Sequence, residues 1–218
     1  MEESIQSLRP ALQSAAAALA LTASDAQVED LLCYLALLRR WNATYNLTSV
    51  RDPAQMLTQH LSDCLAVIGP LRREFGTSPT RVLDVGSGGG LPGVVIAILN
   101  PAMEVTCVDT VGKKAAFVQQ VAGELQLRNL RSRHARVEQM QAAPFDAVVS
   151  RAFASLLDFT ALTRQHLTDG GRWMAMKGKL PAEELSQVSD RLDLFHVEQL
   201  TVPGLDAERC LVWMRPKR

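Results

Sequence analysis

The chain has 218 residues, 47% of them hydrophobic and 5% aromatic, and its 23 basic and 23 acidic side chains balance to a formal net charge of zero. That length suits one mid-sized domain, or one domain with an extension, and is enough to bury a full core without staples. Zero net charge excludes nucleic-acid binding driven by global charge alone, and no apolar run approaches the roughly 18 residues of a membrane span.

Residues 1 to about 75 read as helical throughout. Ile5, Leu8, Leu12, Ala15 and Leu19 recur at helical spacing, interrupted near the start by Pro10. Ser24 with Gln27 makes a capping box, and Val28, Leu31, Leu32, Leu35 and Leu38 predict an amphipathic helix to about Trp41. The polar stretch Asn42 to Ser49 breaks the pattern. Asp52-Pro53 with Gln55 starts another helix through Met56, Leu57, His60, Leu61 and Leu65 toward Gly69-Pro70.

From Arg81 the pattern becomes alternating strand and helix, which predicts an α/β domain over residues 76–218 with parallel pairing and helices on both faces. The expected pieces are strand 81–86, helix 92–99, strand 105–109 and helix 112–127. A weak strand 130–134, a helical turn around Val137 and a strong strand 145–150 follow. Helix 155–166 opens with Ser155 and Asp158 in capping-box relation, and Asp169-Gly-Gly171 reads as a turn into strand 172–176. A helix begins near Pro181. Two late strands, about 193–201 and 209–214, predict an antiparallel pair closing the sheet, unlike a dinucleotide-binding half in which parallel repetition continues.

The most informative stretch is Arg81 to Leu99, an apolar strand, a glycine turn of Gly86-Ser-Gly-Gly-Gly90 and an apolar helix led by Pro92. Free backbone N–H groups at such a junction suit a polar or anionic ligand, and a tight structural turn is the competing reading. A dinucleotide fingerprint places Gly at the first, third and sixth positions; here they are Gly86, Gly88 and Leu91, so the third is missing. Asp84 stands just before the turn. The next strand ends in Asp109, about 20 residues beyond the first Gly, where a carboxylate can bind ribose hydroxyls. Together these mark an adenosine-type site.

Four scattered cysteines with no C-x-x-C spacing read as reduced core residues rather than metal ligands. The acidic start Met1-Glu-Glu-Ser lacks a signal-peptide pattern, so a cytoplasmic location is expected. Basic residues cluster at Arg39-Arg40, Arg72-Arg73, Lys113-Lys114, Arg128 to Arg136 and Arg215 to Arg218. Taken singly, each reads as a solvated face or tail.

These features resemble the seven-stranded S-adenosylmethionine-dependent methyltransferases, a Rossmann-like sheet with an antiparallel last strand. Trp41-Asn-Ala-Thr-Tyr-Asn-Leu-Thr-Ser49, Asp84-Val-Gly-Ser-Gly-Gly-Gly-Leu-Pro-Gly93, Lys113-Lys114, Val149-Ser-Arg-Ala-Phe153 and Lys177-Gly178 resemble one family more closely. It is the bacterial ribosomal small-subunit methyltransferase G family, also called glucose-inhibited division protein B, and the resemblance runs from about Leu31 to Trp213. It implies methylation of N7 of one guanosine in 16S rRNA, with S-adenosylmethionine as cofactor, no metal, and the small ribosomal subunit or an assembly intermediate as partner. It also implies an N-terminal helical extension, residues 1–75, packed on the catalytic domain.

By the same resemblance, Asp84, Gly86, Gly88, Leu91, Asp109, Val137, Glu138 and Arg151 form the cofactor site. Glu138 has a competing role as an acid at a surface helix start. Arg151 is the expected catalytic residue, meeting cofactor, target phosphate or the guanine O6 edge; the alternative is a structural pairing with Asp84 or Glu138. Asn46, Arg51, His60 and Lys177 are candidates for the RNA-facing mouth, with a local His60–Asp63 contact as the plainer explanation of that pair. Tyr45 and Phe153 are candidates to stack on a flipped base, with core packing as the other role for Phe153, and Trp41 reads as a core anchor. Two other functions stay open: a methyltransferase for a small molecule or protein, and a non-catalytic nucleotide-binding module.

Overall fold

Seven strands pair in the order β3-β2-β1-β4-β5-β7-β6 in a computed structural model, which describes residues 3–76, 78–151, 153 and 155–217. They are β1 (Thr80–Val85), β2 (Met103–Asp109), β3 (Leu130–His134), β4 (Phe145–Ser150), β5 (Leu167–Lys177), β6 (Leu192–Gln199) and β7 (Cys210–Pro216). β1 to β5 are parallel. β7 lies antiparallel between β5 and β6, so the expected late pair forms and its second strand is the inner one.

Alternation along each strand sends side chains to two apolar layers. Val82, Val105 and Val149 face one, under α7 (Gly93–Leu99) and α8 (Gly112–Glu124). Leu83, Val108 and Val148 face the other, under α9 (Leu156–Thr163) and the shorter α10 (Ala182–Val188). Every residue of α7 is buried, because α3 (Asp25–Tyr45) covers its outer side. The first core runs without a break from Ile5 through Leu35 and Leu38 to Leu99 and Phe117, so the N-terminal helices and the sheet share it. Each fully buried Leu or Val there stabilises the fold by about 1.5–3 kcal/mol.

The N-terminal helices are α1 (Glu3–Gln6), α2 (Arg9–Ala18), α3, α4 (Pro53–Met56), α5 (Asp63–Leu65) and α6 (Ile68–Phe75), with a π-helical segment, Leu57–Ser62, between α4 and α5. Several boundaries differ from expectation. The capping box at Ser24 forms, yet α3 continues to Tyr45 and ends with Asn46 in the left-handed conformation, since Asn tolerates φ of 51°. Helix persists past Gly69-Pro70, because Pro70 falls in the first turn of α6, where its missing N–H costs nothing. Pro92 is the residue before α7 rather than its first member. Gly170-Gly171 do not end a turn: β5 runs through them, with a register shift against β4 between Phe145 and Ala147. Ser155 caps α9 through the Asp158 N–H, but the Asp158 carboxylate takes the Ser155 hydroxyl rather than returning to the backbone, and the last turn to His166 is 3₁₀. Ala152 in the Val149–Phe153 motif, Arg218 of the basic tail, and Met1 and Glu2 lie outside the described residues. Among the described residues no helix is long and apolar enough to cross a membrane, and no group of three His, Cys, Asp or Glu is placed to hold a metal ion.

Candidate functional site

The carboxyl ends of β1, β2 and β4 converge on the glycine turn. Gly86 and Gly88 adopt φ of 66° and 57°, a left-handed backbone that L side chains rarely take, and the space a Cβ would enter at either is open. The turn is latched to β2, whose Val108 carbonyl accepts the Gly86 and Ser87 N–H groups at 2.9 and 3.2 Å. Asp109 holds it from the side chain: one oxygen accepts the Gly88 N–H at 2.9 Å, the other the Val111 N–H at 2.8 Å. Each of those oxygens keeps a further lone pair. From behind, the buried Tyr34 hydroxyl on α3 donates to the Gly89 carbonyl at 2.7 Å.

Asp84 is fully buried beneath the turn. One oxygen accepts the Gly93 N–H at 2.8 Å, and the other, Oδ1, has no partner among the described residues. A Cβ at Gly93 would collide with Cys107 Sγ and crowd Asp84, so only Gly brings its N–H that close. Burial pushes the Asp84 carboxyl up to about 7, against the Gly93 hydrogen bond and the Arg151 charge, which favour ionisation. An orphaned buried carboxylate oxygen under an open glycine cradle is a place for a cationic or hydrogen-bond-donating ligand group.

Leu91 is buried in the turn, and Val137 is buried in a 3₁₀ turn with Glu138 exposed and paired to Arg136 at 3.7 Å. That turn is pinned by His166 on the Val137 carbonyl at 2.6 Å and Gln165 on the Glu138 carbonyl at 2.9 Å.

A second concavity, a cleft of about 410 Å³, is bounded by Val50, His60, Asp63, Arg151, Lys177 and Arg209. Its floor is Asp63, whose side chain is only 5% exposed and which receives two arginines: Arg209 Nε at 2.7 Å on Oδ1 and Arg151 Nη1 at 3.4 Å on Oδ2. Arg151 also donates to the Gln59 carbonyl at 3.3 Å and lies 3.5 Å from His60 Nδ1. His60 Nε2 meets Thr48 Oγ1 at 2.8 Å. Burial first, and the Arg151 charge second, depress the His60 imidazole to about 4, so it is neutral at neutral pH. Lys177 is held by Glu184 at 2.8 Å.

The structure thus brings Arg151, His60 and Lys177 together but leaves Asn46 and Arg51 off the cleft wall, where they bond one another at 3.2 Å. Arg151 pairs with Asp63, not with Asp84 or Glu138, because the π-helical segment and α5 turn Asp63 toward the end of β4. The simple local His60–Asp63 contact is likewise replaced by Thr48 on one side and the arginines on the other. Trp41 donates to Gln120 at 2.9 Å and packs on Phe117, an anchor of α3 on α8. Phe153 packs on Phe159, whereas Tyr45 is 43% exposed and lies against Trp41 and Lys113. Sequence reasoning missed Arg209, Asp63 as their hub, and Tyr34. Only a fold that returns β7 beside β5 could have pointed to Arg209.

A family model described as rRNA small subunit methyltransferase G matches residues 27–212. The chain belongs to that family. A protein named ribosomal RNA small subunit methyltransferase G from Leptothrix cholodnii is 59% identical over 209 residues, covering 96% of each chain. The protein of the same name from Acidovorax ebreus is 57% identical over 218 residues, again covering 96% of each. Among solved structures, the Burkholderia thailandensis 1,6-didemethyltoxoflavin-N1-methyltransferase with bound 1,6-didemethyltoxoflavin and S-adenosylhomocysteine superposes with a TM-score of 0.57. At 17% identity over 85% of this chain and 89% of that one, it supports the fold. The family match spans both the glycine turn and the Asp63 cleft.

Proposed function

We propose that this chain methylates N7 of one guanosine in 16S rRNA, using S-adenosylmethionine bound at the glycine turn and presenting the base through the Asp63 cleft. The observation that carries the reading is the pairing of two unlike sites at Arg151. That residue lines the cleft, and its charge also acts on the orphaned Asp84 carboxyl under the turn.

The residues present fit the cofactor. Asp84 Oδ1 offers an unused acceptor to the ammonium of its methionine portion, and the open side of Gly86 and Gly88 admits its backbone-hugging part, with Leu91 beneath. Asp109 retains lone pairs for ribose hydroxyls, and Val137 and Glu138 border the adenine. When bound, S-adenosylmethionine supplies an electrophilic methyl group on a sulfonium.

Guanine N7 carries a free lone pair at neutral pH, so no proton has to be removed before it attacks. The cleft agrees with that requirement, since among the described residues it holds no strong base: His60, depressed to about 4, accepts a proton poorly, Lys177 is tied to Glu184, and Asp63 is committed to two arginines. Catalysis then rests on placement and electrostatics, with the Arg151 guanidinium set against the guanine O6 edge or the cofactor. Asn46 and Arg51 brace the loop beside the cleft, and the exposed part of the neighbouring Tyr45 ring, held by Trp41 and Lys113, is offered to RNA. The helices of residues 1–75 form the rim of one compact unit, working in the cytoplasm on the small subunit or an assembly intermediate.

Mapping modified nucleotides in small-subunit rRNA incubated with the protein and S-adenosylmethionine tests this directly. One new 7-methylguanosine is the expected product. Methyl incorporation only into small molecules or protein would overturn the choice of acceptor, and stabilisation by NAD but not by S-adenosylmethionine would overturn the enzyme class.

A further inference from the structure

Four arginines, Arg128, Arg131, Arg133 and Arg136, fall within nine residues that contain no acid, in a chain whose net charge is zero. They lie on and around β3, the outermost strand of the sheet, with β2 on one side and an open edge on the other. The strand itself is fixed by its other residues. Asn129 donates to the Ala97 and Met103 carbonyls, both at 3.0 Å; Ser132 donates to Ala115 at 2.8 Å; His134 contacts the Thr110 carbonyl at 3.1 Å. Leu130, Ser132 and His134 therefore turn toward α8, and alternation sends Arg131 and Arg133 to the opposite face, where both are exposed. Arg136 has a carboxylate within reach, Glu138 at 3.7 Å. Arg128, Arg131 and Arg133 have no acidic partner among the described residues.

Such a row works against folding to a small degree, since like charges two residues apart on one face repel and no acid among the described residues pairs with them. It sits on rigid backbone rather than on a tail, and two residues of strand advance about 6.6 Å, comparable with the step between successive phosphates of a nucleic-acid strand. The same edge ends at His134, paired in register with Asp109.

We propose that the β3 edge is an RNA-docking surface, on which Arg128, Arg131 and Arg133 neutralise successive phosphodiesters of the acceptor RNA outside the cleft. The proposal rests on the rRNA reading above and adds where the polyanion is held. Guanidinium groups suit phosphate, and the acid-free row attracts a polyanion that the remainder of the chain, net negative without these arginines, does not. The competing role for these charges is to guard an open edge against strand pairing with another chain.

Charge reversal separates the two, because glutamates guard an edge as well as arginines do but repel RNA. The variant R128E/R131E/R133E and the single variant Arg131→Glu are compared with wild type for binding of deproteinised 16S rRNA across about 50–200 mM salt. S-adenosylmethionine affinity and melting temperature are measured alongside. With three phosphates no longer neutralised, the slope of log affinity against log salt becomes shallower by about 2–3, affinity at the lowest salt falls roughly tenfold or more, and the single variant loses about one unit of slope. Cofactor affinity and melting temperature stay at wild-type values. Unchanged RNA affinity and slope in both variants, with wild type still methylating rRNA, would overturn the docking surface alone. Failure of wild type to bind or methylate rRNA would overturn the underlying reading and this proposal with it.

Discussion

The glycine turn after β1 and the cleft around Asp63 meet at Arg151 but are made of different material. The turn is backbone: its donors and acceptors are main-chain groups of Gly86 to Gly93, latched by Asp109, Asp84 and Tyr34, all within reach of two adjacent strands. The cleft is side chains drawn from five separated segments, around residues 50, 60, 151, 177 and 209, with a buried carboxylate as its hub. A backbone cradle recognises a ligand that is the same in every turnover. Side-chain charges at 24–25% exposure can instead be rearranged by what enters, which suits a large polyanionic acceptor.

If that division is right, a change at the junction should do most damage. Arg151→Ala should lower turnover by about 10²–10³-fold, the scale of losing one preorganised electrostatic contact, while the protein stays folded because Asp63 retains Arg209. Methyl incorporation and circular dichroism measure both halves of this statement. Wild-type turnover would remove Arg151 from the chemistry and leave turn and cleft unconnected.

Next in size is the hub. Asp63→Asn keeps the shape but leaves two guanidiniums without a counter-charge, a loss of about 1–3 kcal/mol after allowing for their partial exposure. In kinetics it should raise KM for RNA roughly tenfold and move cofactor affinity much less. Equal losses in both would mean that the cleft and the turn are one site, and the comparison would fail.

Asp84 gives the turn its own signature. Its folded-state pKa of about 7 lies above the ordinary 3.8, so between about pH 4 and 7 the native state binds more protons than the unfolded one. Stability from this group is therefore fully present at acid pH and lost as pH rises toward 7. His60, depressed to about 4 from 6.5, acts in the opposite sense: its contribution falls as pH drops from 6.5 toward 4. Denaturation of Asp84→Asn against wild type isolates the first effect. The variant should gain relative stability at pH 8 over pH 5 while losing cofactor affinity at both. A gain at pH 5 instead would show that Asp84 is ionised beneath the turn.

These differences also explain what could be read from sequence. Asp84, Gly86, Gly88 and Asp109 stood out because a backbone site is contiguous: strand, turn, helix and strand follow one another, and the spacing itself is the signal. All seven strands were expected in order for the same reason, short apolar runs and the turns that bound them being local. The run of β5 through Gly170-Gly171 was missed because the two glycines fall in the irregularity between the Leu167 and Arg172 pairings with β4, and a bulge inside a strand carries the same local glycine signal as a turn. Asp63 and Arg209, 146 residues apart in sequence, meet only because β7 inserts beside β5, and no local pattern encodes that. Arg151 was legible through its motif, but its partner was not.

The smallest expected effect tests whether the N-terminal helices support the turn or merely cover it. Tyr34 is wholly buried, and its hydroxyl bonds the Gly89 carbonyl while Leu38, one turn later on α3, packs against Gly89. Tyr34→Phe keeps the ring and its contact with Phe117 and removes one hydrogen bond, about 1 kcal/mol. If α3 only fills space, that loss appears in denaturation alone. If α3 holds the turn in its left-handed shape, cofactor affinity should also fall by about two- to fivefold, with KM for RNA unchanged, because the missing bond lets Gly88 and Gly89 relax away from Asp109. A calorimetric titration with S-adenosylhomocysteine reads that difference. An unaltered dissociation constant would assign the shaping of the turn to Asp109 and Val108 and leave α3 as its lid.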